Sequence, residues 1–299
     1  MRLFSFEVQG RASFGVQVDE DRILDLGRAQ EVVPCAGAAL GGLEDFIAAG
    51  ERALEWAQAL AERARAGAED RLTLHRLDGV KVLAPVRRPE KIICVGLNYM
   101  DHCREQGKEP PSSPIIFPKF ANCLIGSGDP IVRPPITSQL DWEGELAVVV
   151  GRRGKRIPED RALEWVFGYT IMNDVSARDV QYADKQWTRG KVSDTFAPLG
   201  PCIVTADEIP DPQSLKIQTR LNGRTMQDSS TAEMIFPVRH LLAYLSRGIT
   251  FAPGDVLSTG TPDGVGMWRK PPVFMQPGDV IRVEIEKIGV LENPVHAED

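Results

Sequence analysis

The chain has 299 residues, of which 42% are apolar, and a formal net charge of −7. This length suffices for one large domain or for two, and the apolar fraction is ordinary for a globular protein. Lysines and arginines are interspersed among the acidic residues without a basic stripe, so the composition argues against nucleic acid as a partner.

The cysteine usage and the hydropathy pattern favour a location in the cytoplasm. The five cysteines are widely spaced, and none forms a CxxC pair. This usage argues against a disulfide framework and a thiolate zinc site, and it favours a reducing cytosol. The opening MRLFSFEVQG lacks the apolar core of a signal peptide, and no stretch approaches the roughly 18 apolar residues of a spanning helix. We therefore expect a soluble, cytoplasmic protein with no membrane contact.

Residues 1–75 are predicted to form a small α+β domain. The segments RLFSFEV, RASFGVQVD and RILDLG predict short strands separated by turns. The amphipathic stretches GGLEDFIAAG and ERALEWAQALAERARAG predict two helices, each ending at glycine. The polar segment that follows, rich in arginine and proline, predicts a linker over residues 76–90.

Residues 91–299 are predicted to form a second, mainly β domain. From KIICVGLNY onward the sequence consists of short β segments broken by glycine and proline, with helices predicted only at about 159–166 and within 236–248. Such a pattern favours a mixed sheet curled into a roll over alternating βαβ units. No GxGxxG, GxxxxGK[ST] or GxSxG motif is present, so nucleotide-binding and serine-hydrolase folds lose their usual support. The predicted class is α+β, mainly β.

Acidic residues alternate in the segment DWEGELAVVVG. In one continuous strand, Asp141, Glu143 and Glu145 would project from the same face, and Asp174 follows the end of a later predicted strand. One interpretation is a solvated strand edge, where charges discourage edge-to-edge pairing, together with an ordinary Asn-Asp turn. The other is an oxygen-ligand site for a hard cation such as Mg²⁺ or Mn²⁺.

Three further segments are candidates for chemistry. His102 and Glu105 are three residues apart, so on a helical turn the carboxylate would orient the imidazole as a general base; the alternative is an exposed histidine on a loop. Lys191, between glycine and valine, either reaches inward or is an ordinary solvated lysine. The glycine-rich STGTPDGVG, which contains Thr261, either binds a carboxylate or is a hairpin connection.

Together these motifs resemble the fumarylacetoacetate hydrolase family in its prokaryotic-type branch. The resemblance runs in order from about residue 90 to 295 through GLNYxDH, DWEGELAVVVG, GYTIMNDVSARDVQ, QWTRGKVSDTFAPLGP, MIFPVRHLLAYLS and GDVLSTGTPDGVG. It implies a β-roll catalytic domain, usually homodimeric, with residues 1–75 as a small cap domain. Members of the family break or rearrange carbon skeletons next to a keto group with Mg²⁺ or Mn²⁺.

The resemblance also implies roles for particular residues. The implied metal ligands are Glu143, Glu145 and Asp174. The implied catalytic residues are His102, Glu105 and Lys191. The positions that touch substrate or hold the site together are Arg178, Gln181 and Thr261. Asp141 has no role in the family pattern.

The implied substrate is a small 2-oxo acid or diketo acid. The implied reaction is cleavage of a C–C bond by hydrolysis or decarboxylation, as in acylpyruvate hydrolases and oxaloacetate decarboxylases. Isomerisation of 2-hydroxyhepta-2,4-diene-1,7-dioate or 5-carboxymethyl-2-hydroxymuconate is an alternative, and a non-catalytic metal-binding homologue is a second. The motifs do not separate the reactions, and the presence of both dyad residues favours catalysis. The candidate determinants of the substrate's far end are Lys108, Glu109, Trp187, Arg189, Met267 and Trp268.

Overall fold

A computed structural model of the chain describes residues 1–67, 71–183 and 185–298. In chain order its strands are β1 (Arg2–Val8), β2 (Arg11–Gln17), β3 (Arg22–Asp25), β4 (Leu74–Arg76), β5 (Lys81–Leu83), β6 (Ile92–Gly96), β7 (Ile115–Lys119), β8 (Leu124–Ile125), β9 (Ile131–Arg133), β10 (Leu140–Asp141), β11 (Gly144–Val150), β12 (Val166–Asn173), β13 (Ser176–Ala177), β14 (Ala197–Thr205), β15 (Lys216–Leu221), β16 (Arg224–Ser230), β17 (Val256–Ser258), β18 (Val280–Ile285) and β19 (Gly289–Ala297).

The helices are short and lie between these strands. The α-helices are α1 (Leu26–Val32), α2 (Leu43–Ala49), α3 (Glu51–Arg65), α4 (Met100–Gln106), α5 (Arg178–Ala183) and α6 (Val238–Ser246). 3₁₀ helices cover Leu77–Gly79, Ala121–Cys123, Glu159–Trp165, Thr188–Gly190, Ala206–Glu208, Thr231–Glu233 and Gly266–Trp268. Among the described residues, no helix combines the length and the apolar character needed to cross a bilayer.

The strands form mixed sheets, as the sequence predicted. A twelve-stranded sheet has the order β4-β3-β2-β1-β14-β12-β11-β17-β6-β7, with β5 paired to β1 and β8 paired to β14. A five-stranded sheet has the order β16-β15-β18-β19-β9, and β10 pairs with β13. Antiparallel pairs dominate, but β17 runs parallel to β6 and β19 parallel to β9. The α+β, mainly β class is confirmed.

The N-terminal strands continue the sheet that carries the later ones. Leu3 of β1 pairs with Ile203 of β14, and Ser5 of the same strand pairs with Leu83 of β5. The segment predicted as a linker, 76–90, therefore contributes a strand of its own. The division of the chain at this segment stays a prediction, and residue 299, the end of the predicted second domain, lies outside the described residues.

Strand β11 is the buried centre of the large sheet. Every residue of GELAVVV is buried, because the sheet is covered on both faces. Ala147 and Val149 pack in the core cluster that also holds Phe46 of α2, whereas Val148 packs in the cluster that holds Leu241 of α6. This two-sided packing fixes the strand, and with it the acidic segment at its start.

The predicted helices are found, with one difference in type. The two N-terminal helices correspond to α2 and α3, and the helix predicted within 236–248 is α6. The segment predicted as a helix at 159–166 is a 3₁₀ helix. Helices α1, α4 and α5 were not predicted, because these six or seven residues lack the apolar period that Leu43, Phe46 and Ile47 give to α2.

Candidate active site and metal centre

The candidate site lies at neighbouring strand ends. Gly144, the first residue of β11, pairs with Asn173, the last residue of β12. Just beyond this pair, the Asp174 amide donates to the Glu143 carbonyl at 2.8 Å, and the Glu143 amide donates to Asn173 Oδ1 at 3.0 Å. These backbone contacts hold the Glu143 and Asp174 side chains next to each other.

Three predicted metal ligands come together at this point. Glu143, Glu145 and Asp174 are all buried, and each offers a carboxylate oxygen within 4.8 Å of those of the other two. Their burial contradicts the alternative of a solvated strand edge. The cluster has the donor chemistry that hard divalent cations prefer.

Asp141 does not share the face that unbroken alternation predicts. The chain leaves β10 after Asp141 and re-enters a sheet only at Gly144, so the period of two is interrupted. Asp141 instead accepts hydrogen bonds from Arg178 Nε at 2.8 Å and from the backbone amides of Gly266 and Met267 at 2.7 and 3.0 Å. It anchors the loops around the site.

Two buried lysines form ion pairs with Glu143 and Asp174 of the acidic cluster. Lys191 Nζ donates to Glu143 Oε2 at 2.7 Å and to Asp174 Oδ2 at 2.9 Å, so this lysine reaches inward and is not solvated. Lys119 Nζ lies 2.7 Å from Asp174 Oδ1 and also donates to the Phe196 carbonyl at 2.7 Å. Sequence analysis missed Lys119. Its signal was the period of two in β7, which places it on the same buried face as Phe117.

Arg178 and Gln181 lie on α5, and Arg178 forms an ion pair with Glu143 of the cluster. Arg178 NH2 lies 2.7 Å from Glu143 Oε1, while its Nε is bound to Asp141. Its NH1 donates to Gln181 Oε1 at 3.1 Å. The guanidinium thus links two carboxylates and an amide, which fixes the orientation of the Glu143 side chain.

The charges of the cluster are unequally compensated. Burial alone would raise the pKa of Glu143, but the Lys191 ammonium and the Arg178 guanidinium hold that pKa well below its usual range. Burial, followed by the negative charges of Asp174 and Glu143, raises the pKa of Glu145 well above its usual value. Within the described residues, Glu145 forms no ion pair with a basic side chain. A divalent cation would supply the missing positive charge, so the residues present fit such an ion.

The glycine-rich loop after β17 binds the protein's own carboxylates. The Gly260 amide donates to Glu145 Oε2 at 2.9 Å, and the Gly264 amide donates to Glu105 Oε1 at 2.9 Å. Both glycines have positive φ, 98° and 94°, and a Cβ at Gly264 would lie 2.1 Å from the Met226 carbonyl oxygen. Glycine is therefore required at position 264 by both conformation and space.

Thr261 in this loop holds the start of β11. Its hydroxyl donates to the Gly144 carbonyl at 2.9 Å and accepts from Gln227 Nε2 at 2.8 Å. Gln227, which sequence analysis did not identify, also accepts from the Gly144 amide at 3.0 Å. Thr261 thus holds the first residue of the strand that carries Glu145.

The predicted dyad is formed on α4. His102 Nδ1 and Glu105 Oε2 are 2.8 Å apart, and only 5% of His102 is exposed, which contradicts the alternative of an exposed loop histidine. With Nδ1 donating to Glu105, Nε2 is left as the acceptor nitrogen of a neutral imidazole. Gln106 Nε2 lies 2.7 Å from that nitrogen. Gln106 was not identified from the sequence.

One cavity joins these groups. The predicted site residues that line it are His102, Glu143, Glu145, Arg178, Gln181, Lys191 and Thr261. Asp174 and Glu105 lie behind this lining, in contact with Lys191 and His102. Of the six candidates for the substrate's far end, Lys108, Trp187 and Trp268 line the cavity.

The chain matches known proteins over nearly its whole length. Residues 91–296 match the family model described as "Fumarylacetoacetate (FAA) hydrolase C-terminal". The mitochondrial oxaloacetate tautomerase fahd2 of Xenopus laevis is 44% identical over 300 residues, which cover 99% of this chain and 90% of that protein. The oxaloacetate tautomerase YisK of Bacillus subtilis is 41% identical over 301 residues, 99% of this chain and 100% of that protein.

Solved structures agree with this match. A fumarylacetoacetate hydrolase from Exiguobacterium antarcticum has a TM-score of 0.83 and 40% identity, with 100% of both chains covered. The maleylpyruvate hydrolase from Sphingobium sp. SYK-6, in complex with manganese(II) and pyruvate, has a TM-score of 0.79 and 28% identity, again with 100% of both chains covered.

Proposed function

The chain belongs to the fumarylacetoacetate hydrolase family, and we propose that it is a divalent-cation-dependent enzyme that interconverts the keto and enol forms of oxaloacetate or a close 2-oxo dicarboxylate. The observation that carries the proposal is that His102, held by Glu105, lines the same cavity as the Glu143 and Glu145 carboxylates. The relatives named oxaloacetate tautomerase, which match 99% of the chain, support the same reaction.

Glu143, Glu145 and Asp174 would hold the cation, Mg²⁺ or Mn²⁺. The manganese(II) and pyruvate in the related maleylpyruvate hydrolase support a cation that works together with a 2-oxo acid. Bound there, the cation would act as a Lewis acid on a 2-oxo acid. Its withdrawal of electrons from the keto group would make the hydrogens on C3 more acidic.

His102 would move the proton. In enol formation, His102 Nε2 takes a proton from C3, and the electron pair of that C–H bond forms the C2–C3 double bond. The π electrons of the C2 carbonyl move to its oxygen, and the protonated imidazole then returns the proton to that oxygen. Ketonisation is the reverse. Glu105, bound to Nδ1, orients the imidazole and stabilises its cationic form, while Lys191 adds positive charge beside the carboxylates.

Before Nε2 can act, Gln106 has to give up its contact with that nitrogen. The amide thus occupies the position that a substrate C–H group would take. Its release is the one rearrangement that the proposed proton transfer demands of the side chains on α4.

Cleavage of a C–C bond, by decarboxylation or hydrolysis, is the second candidate function. It is favoured by Lys191, whose charge would stabilise an enolate left behind by either bond cleavage. The hydrolase or decarboxylase inferred from the sequence stays a prediction, as do the isomerase alternative, the homodimer and the cytoplasmic location.

The test compares two reactions of oxaloacetate in the presence of Mg²⁺, Mn²⁺ or a chelator. We expect the purified protein to accelerate loss of the enol's ultraviolet absorbance much more than release of CO₂, and the acceleration to vanish with the chelator. Ketonisation at the uncatalysed rate with every cation would overturn the proposal, and release of CO₂ as fast as ketonisation would favour the second candidate.

A further inference from the structure

Lys108 has a fixed backbone position at the end of the dyad helix. Gly107 adopts a left-handed conformation, φ 62°, directly after α4. The Lys108 amide donates to the Cys103 carbonyl at 3.0 Å, and the Gly107 amide donates to the Arg104 carbonyl at 3.1 Å. This pattern of capping bonds is the Schellman motif, which reverses the chain at the end of a helix. It places Lys108 two residues from Gln106 and on the lining of the candidate cavity.

The Lys108 ammonium is uncommitted. Three cationic side chains line the cavity, Arg178, Lys191 and Lys108. The first two form ion pairs with Glu143 at 2.7 Å. By contrast, in the part of the chain that the structure describes, the Lys108 side chain has neither a hydrogen bond nor an ion pair. Its positive charge is therefore free to bind an anionic group of a ligand in the cavity.

Two tryptophans, Trp187 and Trp268, are also among the residues that line the cavity. Trp187 packs on Gly96, where a Cβ would lie 2.2 Å from the indole, and its ring is 5.8 Å from that of Phe117. An indole N–H can donate a hydrogen bond to a carboxylate, but it carries no positive charge that would neutralise one.

We propose that Lys108 is a specificity-determining residue that binds the distal carboxylate of the substrate and so selects 2-oxo dicarboxylates over 2-oxo acids with a neutral end. The inference rests on the proposed function, and it identifies the residue that would bind the end of the substrate opposite the 2-oxo acid group. A 2-oxo acid that uses its carboxylate and keto oxygens at the metal centre leaves a second carboxylate to be neutralised elsewhere. The flexible four-carbon stem of a lysine suits that task.

The test uses two ligands that differ at one group. Oxaloacetate and 2-oxobutanoate share the 2-oxo acid end, and a methyl group in the second replaces the distal carboxylate. Lys108→Met keeps an unbranched, flexible side chain without the charge, and Lys108→Arg keeps the charge. Lys155→Met, at an exposed lysine outside the cavity lining, is the matched control. Binding to the Mn²⁺-loaded protein is followed by tryptophan fluorescence, since two tryptophans line the cavity.

We expect Lys108→Met to weaken oxaloacetate binding about tenfold, the size of one lost hydrogen bond to a charged group, and to leave 2-oxobutanoate binding within about twofold. Lys108→Arg and the control should keep the preference. The KM for oxaloacetate should rise in Lys108→Met with little change in kcat, because the contact is present before and during the reaction.

Equal weakening of both ligands, or no weakening of oxaloacetate, would overturn the role of Lys108. Wild-type protein that binds oxaloacetate without converting it would overturn the proposed reaction instead, while the comparison of the two ligands would still decide the question of Lys108.

Discussion

At the scale of single residues, the candidate site is a balance of buried charges. Lys119, Lys191 and Arg178 offset most of the negative charge of the acidic cluster, and Glu145 alone among the three candidate ligands relies on a hydroxyl, Ser258, and a backbone amide. A buried carboxylate without a cation is costly. The residue-level structure therefore favours a cation next to Glu145.

The dyad can be separated from the metal centre by mutation. His102→Ala should slow ketonisation of oxaloacetate by the roughly 10² to 10⁴ expected for a lost general base. Among the described residues that line the cavity, His102 is the only histidine, so no other imidazole could take its place as the base. Release of CO₂ should fall much less, since decarboxylation of a chelated acid needs no base. Enol absorbance and CO₂ are measured on the same samples.

His240→Ala, at a partly exposed histidine on α6, is the control. If His102→Ala reduces both reactions equally, the dyad acts in a step common to them, and its role as the base in enolisation would have to be withdrawn.

The His102–Glu105 dyad, which was found from the sequence, and Lys119, which was missed, differ in where their partners lie. His102 and Glu105 are three residues apart, so a local period was enough to pair them. Lys119 and Asp174 are distant in the sequence, and only the fold brings Lys119 Nζ to within 2.7 Å of the Asp174 carboxylate. A single sequence carries no signal for such a pairing.

At the scale of elements, the site depends on how the ends of strands are held. Strand periodicity predicted β11, but it also placed Asp141 on the face of Glu143 and Glu145, where it does not lie. The break after β10 is caused by tertiary contacts of Asp141 with Arg178 and the Gly266 loop, which local pattern does not encode. Burial on both faces of β11 was not predicted, although its apolar run is typical of a strand covered on both sides.

Hydrogen bonds made by Gln227 on β16 hold the start of β11 in place. Its buried amide accepts from the Gly144 amide and from Thr219 Oγ1, and donates to Thr261 Oγ1 and to the Pro262 carbonyl, at 2.7 to 3.0 Å. Gln227→Leu would leave several of these buried groups without partners, so we expect a loss of about 2 to 4 kcal/mol in the free energy of unfolding. Urea denaturation measures it.

Gln58→Leu, an exposed position on α3, should change the free energy of unfolding by no more than about 0.5 kcal/mol. A Gln227→Leu protein as stable as this control would show that the four hydrogen bonds are not what holds the strand.

At the scale of the whole molecule, the N-terminal strands and the strands that carry the candidate site share one sheet and pack in the same two core clusters. Strand β1 pairs with β14, and Glu44 of α2 accepts hydrogen bonds from the backbone amides of Arg87 and Arg88. The sequence pattern predicted strands and helices in both parts, but strand order in a sheet is a long-range property that the pattern did not reveal.

A chain that starts at residue 76 tests the predicted division directly. Without β1 and the N-terminal helices, β14 loses a neighbouring strand and the face of β11 that carries Ala147 and Val149 loses much of its cover. We expect this shortened chain to lack a cooperative thermal transition by circular dichroism. A sharp transition would instead support residues 91–299 as an independent folding unit.

The central claim is that one divalent cation, held by Glu143, Glu145 and Asp174, lies in the same cavity as the His102–Glu105 dyad. Anomalous diffraction from crystals grown with Mn²⁺ tests it most directly. The account predicts a single strong manganese peak at coordination distance from an oxygen of each of the three carboxylates. A peak elsewhere in the molecule, or none in crystals of protein that remains active with Mn²⁺, would contradict it.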